Sequence, residues 1–186
     1  MKATRLVVLG LMLVLGACAE MPRDHGAVIV AWEGKLGGCA CDARAQRVTV
    51  IGTGLAAQAG CSPLRFHVLR SDALGAYSWA SGDIYLTAGL VDRAADDEIA
   101  GAIAHELGHL LNDGQMHTVV ALRGFDGPLD VEQRADWVGC QLLVGTGRSP
   151  EALVRVLEKV CAAAPSRECR AAIGVRIAAI QRRFPN

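Results

Sequence analysis

The segment His105-Glu106-Leu107-Gly108-His109 constrains this 186-residue chain more than any other, because it dictates both a helix and what must pack against it. Ile99, Ile103, Leu107 and Leu110 recur at helical spacing between an acidic start, Asp96-Asp97-Glu98, and a stop at Asn112-Asp113-Gly114. Residues four apart share a helix face, so His105 and His109 can direct two imidazole nitrogens at one cation of the zinc type. Glu106 leaves the helix about 100° away from His105, which sets its carboxylate beside that cation as a general base for a bound water. A catalytic zinc takes a third protein donor, and that donor must come from another element. The run Val131-Glu132-Gln133-Arg134-Ala135-Asp136-Trp137 starts a second helix, capped by Asp130 with Gln133 completing a capping-box pattern. Glu132 and Asp136 then share a face: Glu132 is the expected third ligand of a single Zn2+ per chain. Asp136 is placed to accept the other ring N–H of a ligating histidine. His117, the competing third ligand, lies beyond the short offset after the second histidine that a three-histidine site requires. The bland alternative is a buried, partner-satisfied histidine pair with Glu132 on a solvated helix face.

The N-terminus carries Lys2 and Arg5, an apolar run from Leu6 to Leu15, and Leu15-Gly16-Ala17-Cys18. Residues 1–17 form a signal peptide, too short to span a bilayer, with small residues marking a processing site. The last four residues resemble a bacterial lipobox, which implies cleavage before Cys18 and lipidation of its thiol; the alternative is ordinary cleavage with Cys18 a plain cysteine. Ala19 after the lipidated position, by resemblance to lipoprotein sorting, favours the outer membrane facing the periplasm over the inner membrane. Residues 18–40, with Pro22, Gly26, Gly34, Gly37 and Gly38, are expected to be a lipidated tether with one strand over Ala27 to Trp32, and residues 41–186 one domain. The formal net charge is zero, so nothing points to nucleic acid as a partner. Cys39, Cys41, Cys61, Cys140, Cys161 and Cys169 are an even set in an oxidising compartment, which makes disulfides the default. The expected pairs are Cys161 with Cys169, and Cys61 with Cys39 or Cys41. A second metal site from Cys39, Cys41, Cys61 and His67 is the rarer alternative.

Along the rest of the chain, Val48, Ile51, Leu55 and Ala56 predict a helix over 42–59 that Gly60 ends, despite the β-branched run Val48-Thr49-Val50-Ile51. Strands are predicted over 65–70, 75–80 and 83–87, the last two a hairpin turning at Ser81-Gly82. Ser149-Pro150-Glu151 opens another helix, and a last one runs from about Ala171 to Arg183. His67 has no evident partner.

Three segments together resemble a known family: 81–90 (Ser81-Gly82-Asp83-Ile84-Tyr85-Leu86-Thr87-Ala88-Gly89-Leu90), Ile99 to Leu110, and 132–139 (Glu132-Gln133-Arg134-Ala135-Asp136-Trp137-Val138-Gly139). They are similar to the gluzincin metallopeptidases that include the CAAX prenyl protease, the heat-shock zinc protease of bacterial membranes and the periplasmic β-barrel-assembly-enhancing protease. The resemblance runs from about Val48 to Ile180, through Gly147-Arg148-Ser149-Pro150-Glu151-Ala152-Leu153 and Arg176-Ile177. It implies an α+β zincin-like domain, mainly helical, with a small antiparallel sheet over the cleft. Its edge strand, Asp83, Ile84, Tyr85, Leu86 and Thr87, would pair with extended substrate. It also implies a zinc endopeptidase with Glu106 as catalytic base, His105, His109 and Glu132 as ligands, and Asp136 as their support. Unfolded or flexible proteins of the bacterial cell envelope would be its substrates, and the membrane would be reached through the lipid at Cys18.

The chain departs from that family in having Asp72-Ala73 before the hairpin, where the family often has asparagine-alanine. It has only a short segment between His109 and Glu132, and it lacks the histidine-proline pair before Arg176-Ile177. Stabilisation of a developing oxyanion must then come from another group, with Tyr77, His117 and Arg170 as candidates, or from zinc. The missing pair also supports a rival reading, a zinc-binding envelope lipoprotein with a binding or chaperone-like role and little proteolysis; a zinc-stabilised structural domain is the third.

Overall fold

The computed structural model describes residues 25–61, 63–112 and 131–185. The signal segment, Cys18, His117 and the Asp130 cap lie outside them. Seven helices and four strands follow in the order α1 (His25–Lys35), β1 (Cys39–Ala40), α2 (Ala43–Ala59), β2 (Arg65–Leu69), β3 (Ala76–Trp79), β4 (Asp83–Thr87), α3 (Ala88–Val91), α4 (Asp96–Asn112), α5 (Val131–Gly145), α6 (Glu151–Ala163) and α7 (Arg167–Arg183).

Local chemistry sets most of these boundaries. Asp42 accepts the backbone N–H of Arg44 at the start of α2, and Gly60, at φ 65°, closes it in the left-handed conformation. The β-branched run stays helical because Val48, Ile51, Leu55 and Ala59 bury one face against the core. Glu98 accepts the N–H of Ala95 at 2.7 Å at the start of α4, as its acidic opening predicts. α7 begins earlier than expected: Ser166 caps it by accepting from Cys169 N at 3.1 Å, a signal the search for apolar periodicity passed over.

The sheet runs in the order β1-β2-β4-β3. The expected hairpin forms, β3 antiparallel to β4 with Ser78 opposite Ile84 and Gly82 at φ 83° in the turn. β4 then inserts beside β2 in parallel, Phe66 opposite Ile84, so the sheet is mixed and not wholly antiparallel. The insertion corrects the placement of Asp83–Thr87. This strand is paired on both sides and all five residues are buried, and the edges are β1 and β3. A strand covered on both faces loses the alternation that marks a half-buried edge.

Ile84 and Leu86 face the helices and join Leu55, Ile99, Ile103, Leu107, Leu143 and Leu153 in the core. The opposite sheet face is covered by α1, in the segment expected to hold a strand within a tether. Trp32 packs edge-on against Tyr77, Trp79 and Tyr85 at ring separations of 5.2, 5.5 and 5.1 Å, and Tyr85 donates to Glu33 at 2.7 Å. His67, which the sequence left without a partner, stacks on Tyr85 and bonds Asp83 at 2.9 Å. Burial pushes the Asp83 carboxyl up, but hydrogen bonds from Arg65, Ser81 and His67 outweigh it and hold the group at about 2.

The decisive packing is between α4 and α5. A Cβ on Gly108 would fall on the Ala135 backbone, and one on Gly139 would lie 2.9 Å from the Ala104 carbonyl carbon and 3.0 Å from His105 N. Two hydrogen side chains thus let the helix backbones touch.

Gly108→Val is therefore expected to lower the melting temperature and the zinc content together. Gly174→Ala, on an open helix face, should stabilise by about 0.5–1 kcal/mol. Calorimetry and metal analysis check both, and a Gly108→Val protein with wild-type melting and zinc would contradict the packing. The depressed Asp83 carboxyl contributes stability above the usual carboxylate range of about 4, which is lost as pH falls toward about 2. Melting curves of Asp83→Asn should accordingly lie below wild type at pH 7 and converge with it in strong acid.

Candidate metal centre

His105 and His109, one turn apart on α4, present their Nε2 atoms 3.1 Å from each other. α5 crosses at the glycine contacts and delivers Glu132 to both: Oε2 lies 3.4 Å from His105 Nε2 and Oε1 3.4 Å from His109 Nε2. Among the described residues, His105, His109 and Glu132 form the one group of three such donors gathered closely enough to hold an ion. Bonds of about 2.0–2.1 Å at tetrahedral angles separate ligand atoms by about 3.3 Å, close to the 3.1 Å between the two histidine nitrogens and the 3.4 Å from each to its nearer Glu132 oxygen. The donor set fits zinc. Three protein donors, the number gathered among the described residues, are the complement of a catalytic centre.

Asp136, one turn beyond Glu132, takes the predicted supporting place, with Oδ1 2.9 Å from His105 Nδ1. Arg176 of α7 holds both acidic residues. Its Nη2 and Nε donate to Asp136 at 2.7 and 2.8 Å, and Nη1 lies 2.9 Å from Glu132 Oε2. The sequence had placed Arg176 only within the family resemblance and gave it no role. Its sole signal was an arginine in an otherwise apolar stretch of helix, too weak to name a partner 40 residues away.

Charge balance follows from this network. Burial raises the Asp136 carboxyl, yet the bonds from Arg176 and His105 hold it well below the usual range. Burial likewise opposes ionisation of Glu132, and His105, Arg176 and His109 reverse the sign. Burial and Arg176 lower His105, but Asp136 and Glu132 prevail and raise it to about 9, whereas burial and the neighbouring His105 lower His109. A cation entering here competes with the proton on His105.

Glu106 is buried beside the histidines and accepts a hydrogen bond from Ser78 Oγ at 2.7 Å, a contact the sequence did not foresee. Strand alternation puts Ser78 on the helix-facing side of β3 and Tyr77 and Trp79 on the other. The Tyr77 ring packs on Trp32, and Arg170 donates to the Ala164 carbonyl at 2.9 Å. The six described cysteines are free thiols, so the pairs expected for Cys161 with Cys169 and for Cys61 with Cys39 or Cys41 are not formed. Cys161 donates instead to the Arg170 carbonyl, and Cys39, Cys41, Cys61 and His67 are not gathered around a common point.

Comparison with known proteins agrees with the geometry. Residues 42–125 match the model of peptidase family M48, which includes the helix of His105, Glu106 and His109. The chain is 30% identical over 93 residues to Metalloprotease YcaL of Escherichia coli (strain K12), a match covering 50% of this chain and 33% of that protein. It is 32% identical over 66 residues to Metalloprotease LoiP of the same organism, covering 36% and 26%. The matched segments thus span a third or less of these curated relatives. Glu132, Asp136 and Arg176 lie beyond the family match and reach the site by folding alone. Over residues 42–125 the chain is similar to peptidase family M48, whose members are metal-dependent, typically zinc, peptidases.

Proposed function

We propose that this chain is a zinc-dependent endopeptidase of the bacterial cell envelope that hydrolyses extended or misfolded proteins. The observation that carries the reading is the convergence of His105, His109 and Glu132 next to the Glu106 carboxylate. The lipobox-like Leu15-Gly16-Ala17-Cys18 supports a lipid anchor at Cys18 and an outer-membrane position facing the periplasm.

Zinc held by the three donors would supply Lewis acidity to the scissile carbonyl and acidity to a bound water. Glu106 accepts the water proton and returns it to the departing amide nitrogen. Asp136 holds His105 in the tautomer that leaves Nε2 for the metal, and Arg176 keeps the carboxylates of Glu132 and Asp136 ionised and oriented. β3 is the edge strand that touches Glu106 through Ser78, so an extended backbone can be added along its unpaired side, which selects for unfolded segments more than for a side chain.

The test uses the full chain, with an unfolded protein such as casein as substrate. Glu106→Gln should retain zinc while cleavage falls by about 10²–10⁴-fold. Zinc bound with no cleavage by either form would favour the binding or chaperone-like reading. Glu132→Ala should lose most of its zinc by metal analysis, and full occupancy in that variant would remove Glu132 from the ligand set.

A further inference from the structure

Ser78 belongs to the edge strand, yet its side chain turns inward, away from the aromatic face. Tyr77 and Trp79, its neighbours in sequence, lie against Trp32 of α1, at 5.2 and 5.5 Å between ring centroids. The strand is thereby pinned on one face by α1 and along one side by β4, where Ser78 stands opposite Ile84. On the other face the Ser78 hydroxyl donates to Glu106 Oε2 at 2.7 Å. A hydroxyl donor to a carboxylate at this distance is a charge-assisted bond, short and directional. It fixes one oxygen of the base and so determines where the other points.

We propose that Ser78 is a positioning residue for Glu106, and that through it the strand that receives the substrate backbone also sets the angle of the base. The inference rests on the peptidase reading above. It assigns Ser78 a function in turnover rather than in binding, because its hydroxyl is spent on Glu106, not on the substrate. The backbone of the same strand is what substrate would meet. A peptide added to β3 stiffens the strand, and the stiffening is passed by one hydrogen bond to the carboxylate that takes the water proton.

Two measurements on the full chain test this. With a fluorogenic extended peptide as substrate, Ser78→Ala should lower kcat by roughly tenfold with KM within about twofold and zinc content unchanged, and Ser78→Thr, which keeps the hydroxyl, should recover most of the loss. In the metal-free protein, Ser78→Ala should lower the melting temperature by about 2–4 °C, and should do much less in a Glu106→Ala background, where the acceptor is gone. An unchanged kcat in Ser78→Ala, a rise in KM alone, or equal melting decrements in both backgrounds would each overturn the proposal. A wild-type protein that binds zinc and cleaves nothing would overturn the peptidase reading and with it the role in turnover, even where the melting cycle shows the two residues coupled.

Discussion

Everything at the metal centre depends on the backbone contact between α4 and α5. Gly108 lies on the Ala135 backbone and Gly139 on Ala104, so neither helix carries a side chain where they cross. Two helices separated by ordinary side chains stand about 8–10 Å apart. Without that separation, the short Glu132 side chain spans the gap to both imidazoles, and Asp136 reaches His105 from the next turn. The core around the crossing, with Ile103, Leu107, Val138 and Leu143 buried, keeps the helices from sliding apart.

Gathering two carboxylates and two imidazoles in a buried site has an electrostatic cost that a single arginine offsets. Removing one partner of a buried charge network leaves the others unpaired, and the penalty exceeds the worth of any one bond. Arg176 bridges Asp136 and Glu132, and His105 completes the chain of contacts from the other side. The final helix is thus part of the site's construction even though it contributes no expected ligand.

The sheet meets the candidate site through Ser78, which donates to Glu106. Inserting β4 between β2 and β3 leaves β3 at one edge of the sheet, and α1 holds that edge through Trp32. A segment that composition marks as a glycine-bearing tether thereby becomes part of the wall behind β3. Its helix carries little amphipathic pattern, and the aromatic partners of Trp32 come from strands 40 and more residues away, which is why local reading missed it.

What the sequence alone determined was the chemistry and its local carriers. The spacing of His105, Glu106 and His109, the Glu132–Asp136 pair, the caps at Asp42 and Glu98 and the hairpin at Gly82 are all short-range relations, written within one or two helical turns or one tight turn. Only the tertiary structure decided which strand became the edge, that Arg176 would join the two acidic residues, that Ser78 would hold Glu106, and that His67 would find Asp83. Each of these joins residues on separate elements, and such contacts are set by how whole faces pack, a property that no local period in the chain encodes.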